Sequence, residues 1–553
     1  MSTTLERMAL WASQLKFEDI PPRVLDKAKL QILSMVAAVY SGYSTRAARS
    51  IREVVLSSRA QGRALILPGG DRTSPTVAAM ANAAASMALE YDDYLFMGHT
   101  GHSAVLASLA LAQEEGLGGK DWLKALIIAN EVGGRLGASV MLGPQSGQLW
   151  THIHAPAAAC AGAVLLGLDA QATAHAIALA LYQPPMAMWP GFLGPDSKLM
   201  SAANPTRDGL QAARMAAWGL TGPIDILDVE RGFGDHFAYQ YLPQMLSGWG
   251  QSWVTDSLCF KIHPGCAHIA SAVDGILELA GQFQAKHGRL LALADVRGIQ
   301  VQTTLFGAEM HKLSLTSLPE RLAPVHVNFS IPLSLGIAIR SGRLSPTELE
   351  ESQLAASAEE LMALADKVEV SHDWSLTLEM LEQMNQTLPL TDLLRDLDIR
   401  QMLAQRGDAG RQLGGLAELK PRDLLRAAGF LLNRAPQLVR EVGRVARNGL
   451  GRIGSQEETP CDLGHAQFDQ ATMPFLCEVK LKTQDNEELK SRVDIPLGAA
   501  GRDTAETRGL VRKKFRDQAV RLLGEVQVEQ ALELVDNLEE QQDLDALGQA
   551  LTV

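Results

Sequence analysis

Residues 155–181, APAAACAGAVLLGLDAQATAHAIALAL, are small and apolar on nearly every side. A helix with no polar face has nowhere to lie but inside a protein, so this stretch predicts buried helices packed closely through alanine and glycine. The flanking sequence agrees. From about residue 5 to 255, helical patterns succeed one another between Gly and Pro breaks. Pro21-Pro22 opens a helix that runs to a terminating Gly42. ALILPGG is strand-like, Pro75 opens an Ala-rich helix through Ala88, and GKDWLKALIIANEVGGRLGASV is amphipathic. The first half therefore reads as an all-α bundle around a central, alanine-packed helix.

The pattern changes near residue 258. CFKIHPGCAHIASAVDGILELA reads as a loop entering a helix, and VRGIQVQTT and DKVEVSH alternate like strands. LAPVHVNFSIPLSLGIAIRSGRLSP is expected to be extended, and CEVKLKTQDNEELKSRVDIPLG forms a hairpin turning at Gln484-Asp485-Asn486. The expected fold class is mainly α, a large all-α helical domain plus a smaller α+β lid. The expected boundaries are a helical domain at 1–257, a lid domain at 258–384, a helical Arg/Leu-rich insertion at 385–465, and a lid hairpin with C-terminal helices at 466–553.

With 553 residues, 46% hydrophobic and 20% charged, the chain has ample material for two cores. A net charge of -13 without any Lys/Arg block argues against a nucleic-acid partner. Five scattered cysteines lack any Cys-x-x-Cys pair, which argues against a disulfide framework and a zinc site. No stretch approaches the length of a membrane span and the N-terminus lacks an h-region, so a cytoplasmic protein is expected. Gly-x-Gly-x-x-Gly, Walker A and Gly-x-Ser-x-Gly motifs are all absent. His152 and His154 could suggest a metal, but alternate residues on a helix point about 200° apart, so none is expected.

What remains is chemistry for moving protons on a small anion. Leu89-Glu90-Tyr91-Asp92-Asp93 with His99 and His102 sets three acids and two imidazoles within fourteen residues, between apolar segments. The plainer alternative is acids that cap a helix and solvated loop histidines. Lys198 lies in GPDSKLMSAANPTRDG, entering a helix expected at about residue 208. Its ammonium beside exposed backbone N–H groups suits a carboxylate. Lys261, His263, Cys266 and His268 form a second cluster around a Pro264-Gly265 turn.

Six segments in order then resemble the MmgE/PrpD family: LEYDDYLFMGHTGHSAVLA through EVGGRLG; the LLGLD-linked helix pair; DSKLMSAANPTRDG with GLTGP; FKIHPGCAHIASAVDGILEL; VNFSIPLSLGIAIRSGRLS; and IPLGAAGRDTAETRGLVRKKF. The family includes 2-methylcitrate dehydratase, cis-aconitate decarboxylase and iminodisuccinate epimerase. The resemblance implies a cofactor-free homodimer with its site between a helical domain and a lid. It points to Glu90 and Asp93 as the acid cluster, His102 as the loop histidine, and Lys198 and Lys261 as carboxylate anchors. A local shift would bring His152 or His154 to the family's next histidine, which otherwise falls near Gln148. Cys266 and Ile331 stand where cis-aconitate decarboxylases carry histidine and tyrosine, implying a less polar substrate.

The expected function is a cofactor-independent lyase, a dehydratase or decarboxylase that abstracts a proton α to a carboxyl group. Glu90, Asp93, His102, His152, His154 and Cys266 are its candidate catalytic residues, and His99, Lys198, Lys261 and His263 its candidate substrate-binding ones. An epimerase or isomerase, or a non-catalytic binding relative, is the alternative.

Overall fold

The computed structural model describes residues 2–96, 98–143, 150–315, 322–388 and 463–553. The fold is mainly α-helical. The larger core gathers apolar side chains from Leu5 to Phe260 and then from Val511 to Leu551. Its centre is the helix Thr151–Leu165, packed against Gly119–Ser139, Ala170–Tyr182 and Met200–Ala217. Gly209 and Ala158 illustrate why the stretch is alanine-rich, since even one added carbon at Gly209 would press on Ala158 and the Ala155 carbonyl. Pro22 does open a helix, Pro22–Tyr43, and Pro75 opens Pro75–Met87.

The smaller core is built on a four-stranded sheet in the order Val368–His372, Val296–Thr303, Cys477–Thr483, Glu488–Val493. The first pair is parallel and the other two are antiparallel. Ile299, Val301 and Thr303 alternate inward from the second strand, as period-two patterning requires, and the three-residue step back to Val296 coincides with a register shift between Val296 and Gly298. The helix Ala267–His287 covers the sheet. The hairpin turns at the anticipated place, with Asn486 left-handed at φ 63°.

Two expectations fail locally. The stretch after Leu322 is helical, not extended: Pro324–Val327 and then Ile331–Ser341, with Ser330 Oγ accepting from the Leu333 N–H and Pro332 at the first turn. Its side chains are apolar on all faces because it is buried in the lid core, and a buried helix and a buried strand look alike by periodicity. The helix expected to start near 208 starts at Met200 and accommodates Pro205 internally. The insertion at 385–465 lies almost wholly outside the described residues, as does Gln148.

The Glu131-Val-Gly-Gly-Arg135 segment knits the large domain. Arg135 Nη1 lies 2.7 Å from Glu131 Oε2, and its other nitrogens donate to the carbonyls of Ser247, Gly248 and Ser252. Glu131 accepts in turn from the Val254 and Thr255 N–H groups and the Thr255 hydroxyl. Both side chains are buried, so removing one leaves an uncompensated charge. Glu131→Ala should cost about 3–5 kcal/mol in urea unfolding, and a loss near zero would refute this role.

Candidate active site

The acidic stretch runs between the two cores. Leu89 and Tyr91 pack into the smaller core, while Glu90 and Asp92 carry their carboxylates elsewhere. Glu90 has φ 51°, a left-handed conformation that is costly for a residue with a Cβ and characteristic of functional sites. Just beyond, Asp93 pairs with Phe260 and Tyr94 with Cys259 in a short antiparallel bridge. The Lys261 N–H then donates to the Asp92 carbonyl at 3.2 Å, so the ladder itself sets the lysine beside the acid.

The side chains form a line of alternating charge. Lys198 Nζ lies 2.7 Å from Glu90 Oε1, and Glu90 Oε2 accepts from Lys261 Nζ at 2.7 Å. Lys261 Nζ also donates to Asp92 Oδ1 at 2.5 Å. The other Asp92 oxygen meets two imidazoles, His99 Nδ1 at 2.7 Å and His102 Nε2 at 3.2 Å. Behind them His102 Nδ1 pairs with Ser86 Oγ at 2.7 Å, and His154 Nδ1 with Ser103 Oγ at 3.1 Å. The His102 and His154 rings stand edge-on with centroids 5.6 Å apart. All these side chains are buried except His99, which is 15% exposed.

Charge pairing outweighs burial along this line. Burial alone would raise Glu90, but Lys198 and Lys261 hold it down to about 2. Asp92 is likewise held well below its usual range, against burial, by Lys261, His99 and the His102 hydrogen bond. Burial would lower Lys261, yet Asp92 and Glu90 push it above the ordinary lysine value. Where no partner is offered, burial wins. It lowers His152 to about 3 and His154 well below the imidazole range, with His102 adding to the fall in His154. Both are neutral at physiological pH.

The structure brings together Glu90, Lys198, Lys261, His99, His102 and His154. Asp92, not Asp93, is the acid at the centre. The Asp93 carboxylate instead accepts from the Gly101 N–H at 3.1 Å, holding the histidine loop. Gly101 is required there, since a Cβ would collide with Asp93 Oδ2 and Met35 Sδ. Burial and the Asp92 charge raise Asp93 to about 6.

Three other candidates sit apart. His152 stacks on Phe237 at 4.4 Å, turned to the side of its helix opposite His154. His263 is tied to Asp274 at 2.8 Å and to the Leu344 carbonyl, a contact within the lid. Cys266 is near the line, but burial, with the Glu90 charge adding, raises its thiol to about 11, so it stays protonated and packs beside Phe329 and Met310. Lys514, unmarked in the sequence reading, is buried behind the site. It donates to Ser34 Oγ, the Tyr91 carbonyl and the Lys261 carbonyl at 2.6–2.9 Å. Its signal was helical spacing, three residues after buried Val511 and next to buried Phe515. Among the described residues no group of His, Cys, Asp and Glu is arranged to hold a metal, and no helix is long and apolar enough to cross a membrane.

A cavity of about 560 Å³ opens between the domains and reaches Lys198. Ser41, Thr45 and Arg49 line its helical side, Val325 and Leu349 its lid side, and Ala88 and Leu89 its floor, one residue from Glu90.

A helical body, a sheet-based lid and a buried Lys–acid–His line at the end of the cleft define a class of protein equipped for acid–base work on a carboxylate. The chain belongs to the MmgE/PrpD family: the MmgE/PrpD N-terminal domain matches residues 6–244 and the C-terminal domain residues 263–413. Among relatives, the cis-aconitate decarboxylase of Aspergillus terreus is 27% identical over 311 residues, 53% of this chain and 63% of that enzyme. The cis-aconitate decarboxylase of Homo sapiens is 28% identical over 293 residues, 49% of this chain and 58% of the enzyme. The cis-aconitate decarboxylase-like protein of Aspergillus oryzae is 28% identical over 277 residues, 46% and 56% respectively. The matches thus span less than two thirds of these relatives' length.

The neutral His152 makes stability pH-dependent. Its folded value, about 3, lies below the ordinary 6.5, so as pH falls through this window the unfolded chain gains a proton that the folded one refuses, and stability is lost. His152→Phe should flatten the stability–pH slope inside that window by about 1.4 kcal/mol per pH unit. Urea titrations of both proteins across the window check this, and parallel slopes would show that His152 is already protonated when folded.

Proposed function

We propose that this protein is a lyase that acts on a small organic acid without a cofactor, either removing a proton α to a carboxyl group and expelling a β-hydroxyl as water, or releasing carbon dioxide and returning a proton to the electron pair left on carbon. The observation that carries it is the buried line Lys198–Glu90–Lys261–Asp92–His102 ending at the interdomain cavity. The family and the decarboxylase relatives support the same reading.

Each part has a role in such a step. Lys198, the one ammonium of the line that also lines the cavity, takes the substrate carboxylate. Lys261, kept cationic by two acids, stabilises the negative charge that develops as the α-proton or carbon dioxide leaves. Asp92 fixes the orientation and tautomer of His99 and His102, the imidazoles assigned to proton transfer at the inner end of the line. His154, neutral and with Nε2 unengaged among the described residues, is placed to exchange the proton with His102. Asp93 positions the loop and stays out of the chemistry.

Pure protein incubated with a panel of small di- and tricarboxylates should produce a mass loss corresponding to water or carbon dioxide. His102→Gln or Asp92→Asn should lower kcat by about 10²–10⁴-fold, whereas Asp93→Asn should lower it by less than about tenfold. Deuterium entering substrate from heavy water with no other mass change would replace the lyase reading with an epimerase. Full activity in Lys198→Met would remove the reading altogether.

We also propose a homodimer in the cytoplasm. Met215, Trp218 and Leu220 form one exposed apolar surface at the end of the helix Met200–Ala217, with Trp218 92% exposed, and such patches mark contact sites. Light scattering should give twice the 59.6 kDa chain mass, reverting to monomer in Trp218→Glu. An unchanged mass in that variant would place the interface elsewhere.

A further inference from the structure

The charges in the site are already matched before any substrate arrives. Along the line, Lys198 and Lys261 face Glu90 and Asp92, two against two. The cavity lining adds Arg46 and Arg49 against Asp196, Glu350 and Glu351, so line and cavity together hold four cations against five acids, and Arg46 is itself paired with Asp196 at 2.5 Å. A substrate bearing three carboxylates would bring a triple negative charge into a cleft with no surplus of cations. Burying such charge without partners is strongly disfavoured.

The lid side of the site offers something else. Phe192 and Phe329 stack edge-on at 5.2 Å and flank the Lys198 ammonium, whose Nζ lies 5.7 and 4.9 Å from their ring centres. They join Leu193, Met310, Cys266, Phe306 and Val325 in one apolar cluster. Val325 belongs to this cluster and to the cavity wall, so the two are continuous. The polar groups on this side are uncharged. His268 is held near 3 by burial, with His311 adding, and His311 near 4 by burial. The buried amide of Asn328, beside Phe329, has neither its nitrogen nor its oxygen engaged among the described residues. The cavity, at about 560 Å³, falls in the range of roughly 300–1,000 Å³ typical of drug-sized ligands.

Building on the proposed lyase site, we infer that its substrate is an acid with one or two carboxylates and an uncharged apolar or aromatic arm, the arm lying against Pro324, Val325 and Leu349 of the cavity wall, rather than a tricarboxylate. Lys198 takes a carboxylate in exchange for part of its contact with Glu90, and the arm covers this apolar wall, behind which Phe192 and Phe329 are buried. Glu90, left with Lys261 alone, is then less restrained against the upward pull of burial and becomes a better proton acceptor. The apolar wall thus discriminates against a third carboxylate, because that group would lose its hydration there and gain no cation.

Phenylsuccinate and propane-1,2,3-tricarboxylate test this directly, since both are succinates and differ in the arm, phenyl against carboxymethyl. Calorimetric titration of the full chain should show phenylsuccinate binding at least about tenfold more tightly, the amount that burial of part of a phenyl ring supplies. Val325→Ala should reduce the preference to less than about threefold. Val325→Arg, which adds a cation to the wall without touching the core of the cluster, should invert it. Lys198→Met should weaken both ligands. Tighter binding of the tricarboxylate in a Lys198-dependent manner would overturn the arm while leaving the lyase site standing. Binding of neither ligand, or of both independently of Lys198, would overturn the two together.

Discussion

Four buried charges held in alternation are the constraint around which this molecule is arranged. Each of Lys198, Glu90, Lys261 and Asp92 would be expensive to bury alone, and removing any one leaves a net buried charge. Hydrophobic residues of the same size would fill that volume with no desolvation penalty. Stability therefore does not explain the line. Its position at the end of an interdomain cavity, and the left-handed backbone at Glu90, tie the cost to chemistry instead.

The fold holds this line by backbone as much as by side chain. The Asp93–Phe260 bridge fixes the register between the acids and Lys261. Gly265 N–H donates to the Glu90 carbonyl at 3.0 Å, securing the strained residue from the lid side. From the opposite direction Lys514, on the C-terminal helix Thr504–Leu523, gathers the Tyr91 and Lys261 carbonyls and lies over the Tyr91 ring at 3.9 Å. Burial pulls Lys514 down to about 7, with Asp92 and Asp93 resisting. The last helices consequently pack on the large core and brace the site from behind, although the hairpin just before them belongs to the lid. The chain crosses between domains twice to do this.

Much of this was legible because the signals were local. Proline at helix starts, alanine-rich apolar runs and alternation at Ile299–Thr303 each follow from short-range geometry. The failure at Ile331–Ser341 has a definite cause. Pro332 reads as a break in an apolar run, yet proline is tolerated in a helix's first turn, where its missing N–H would be unpaired in any case. Ile331 is buried in the lid core, so its apolar character reflects packing there, and the substrate inference from this position gives way to the apolar cavity wall at Val325.

The site was legible as a set of residue types and less so as an assignment of roles. Glu90, His102, Lys198 and Lys261 converge because acids, imidazole and lysines in Gly/Pro-rich junctions have few other reasons to be buried. The choice between Asp92 and Asp93 could not be made by type, since the two are adjacent and identical. Only the pairing of Asp93 with Phe260 decides it. That pairing points Asp93 toward Gly101 and leaves Asp92 opposite Lys261, and a slip of one residue would exchange the two acids. The same logic separates His152 from His154. Two places apart on a helix, one rests on Phe237 in an apolar pocket and the other reaches Ser103 and the edge of His102. In both cases the sequence supplies two equivalent groups, and long-range packing assigns one to the buried polar line and the other to the support of the loop or the core.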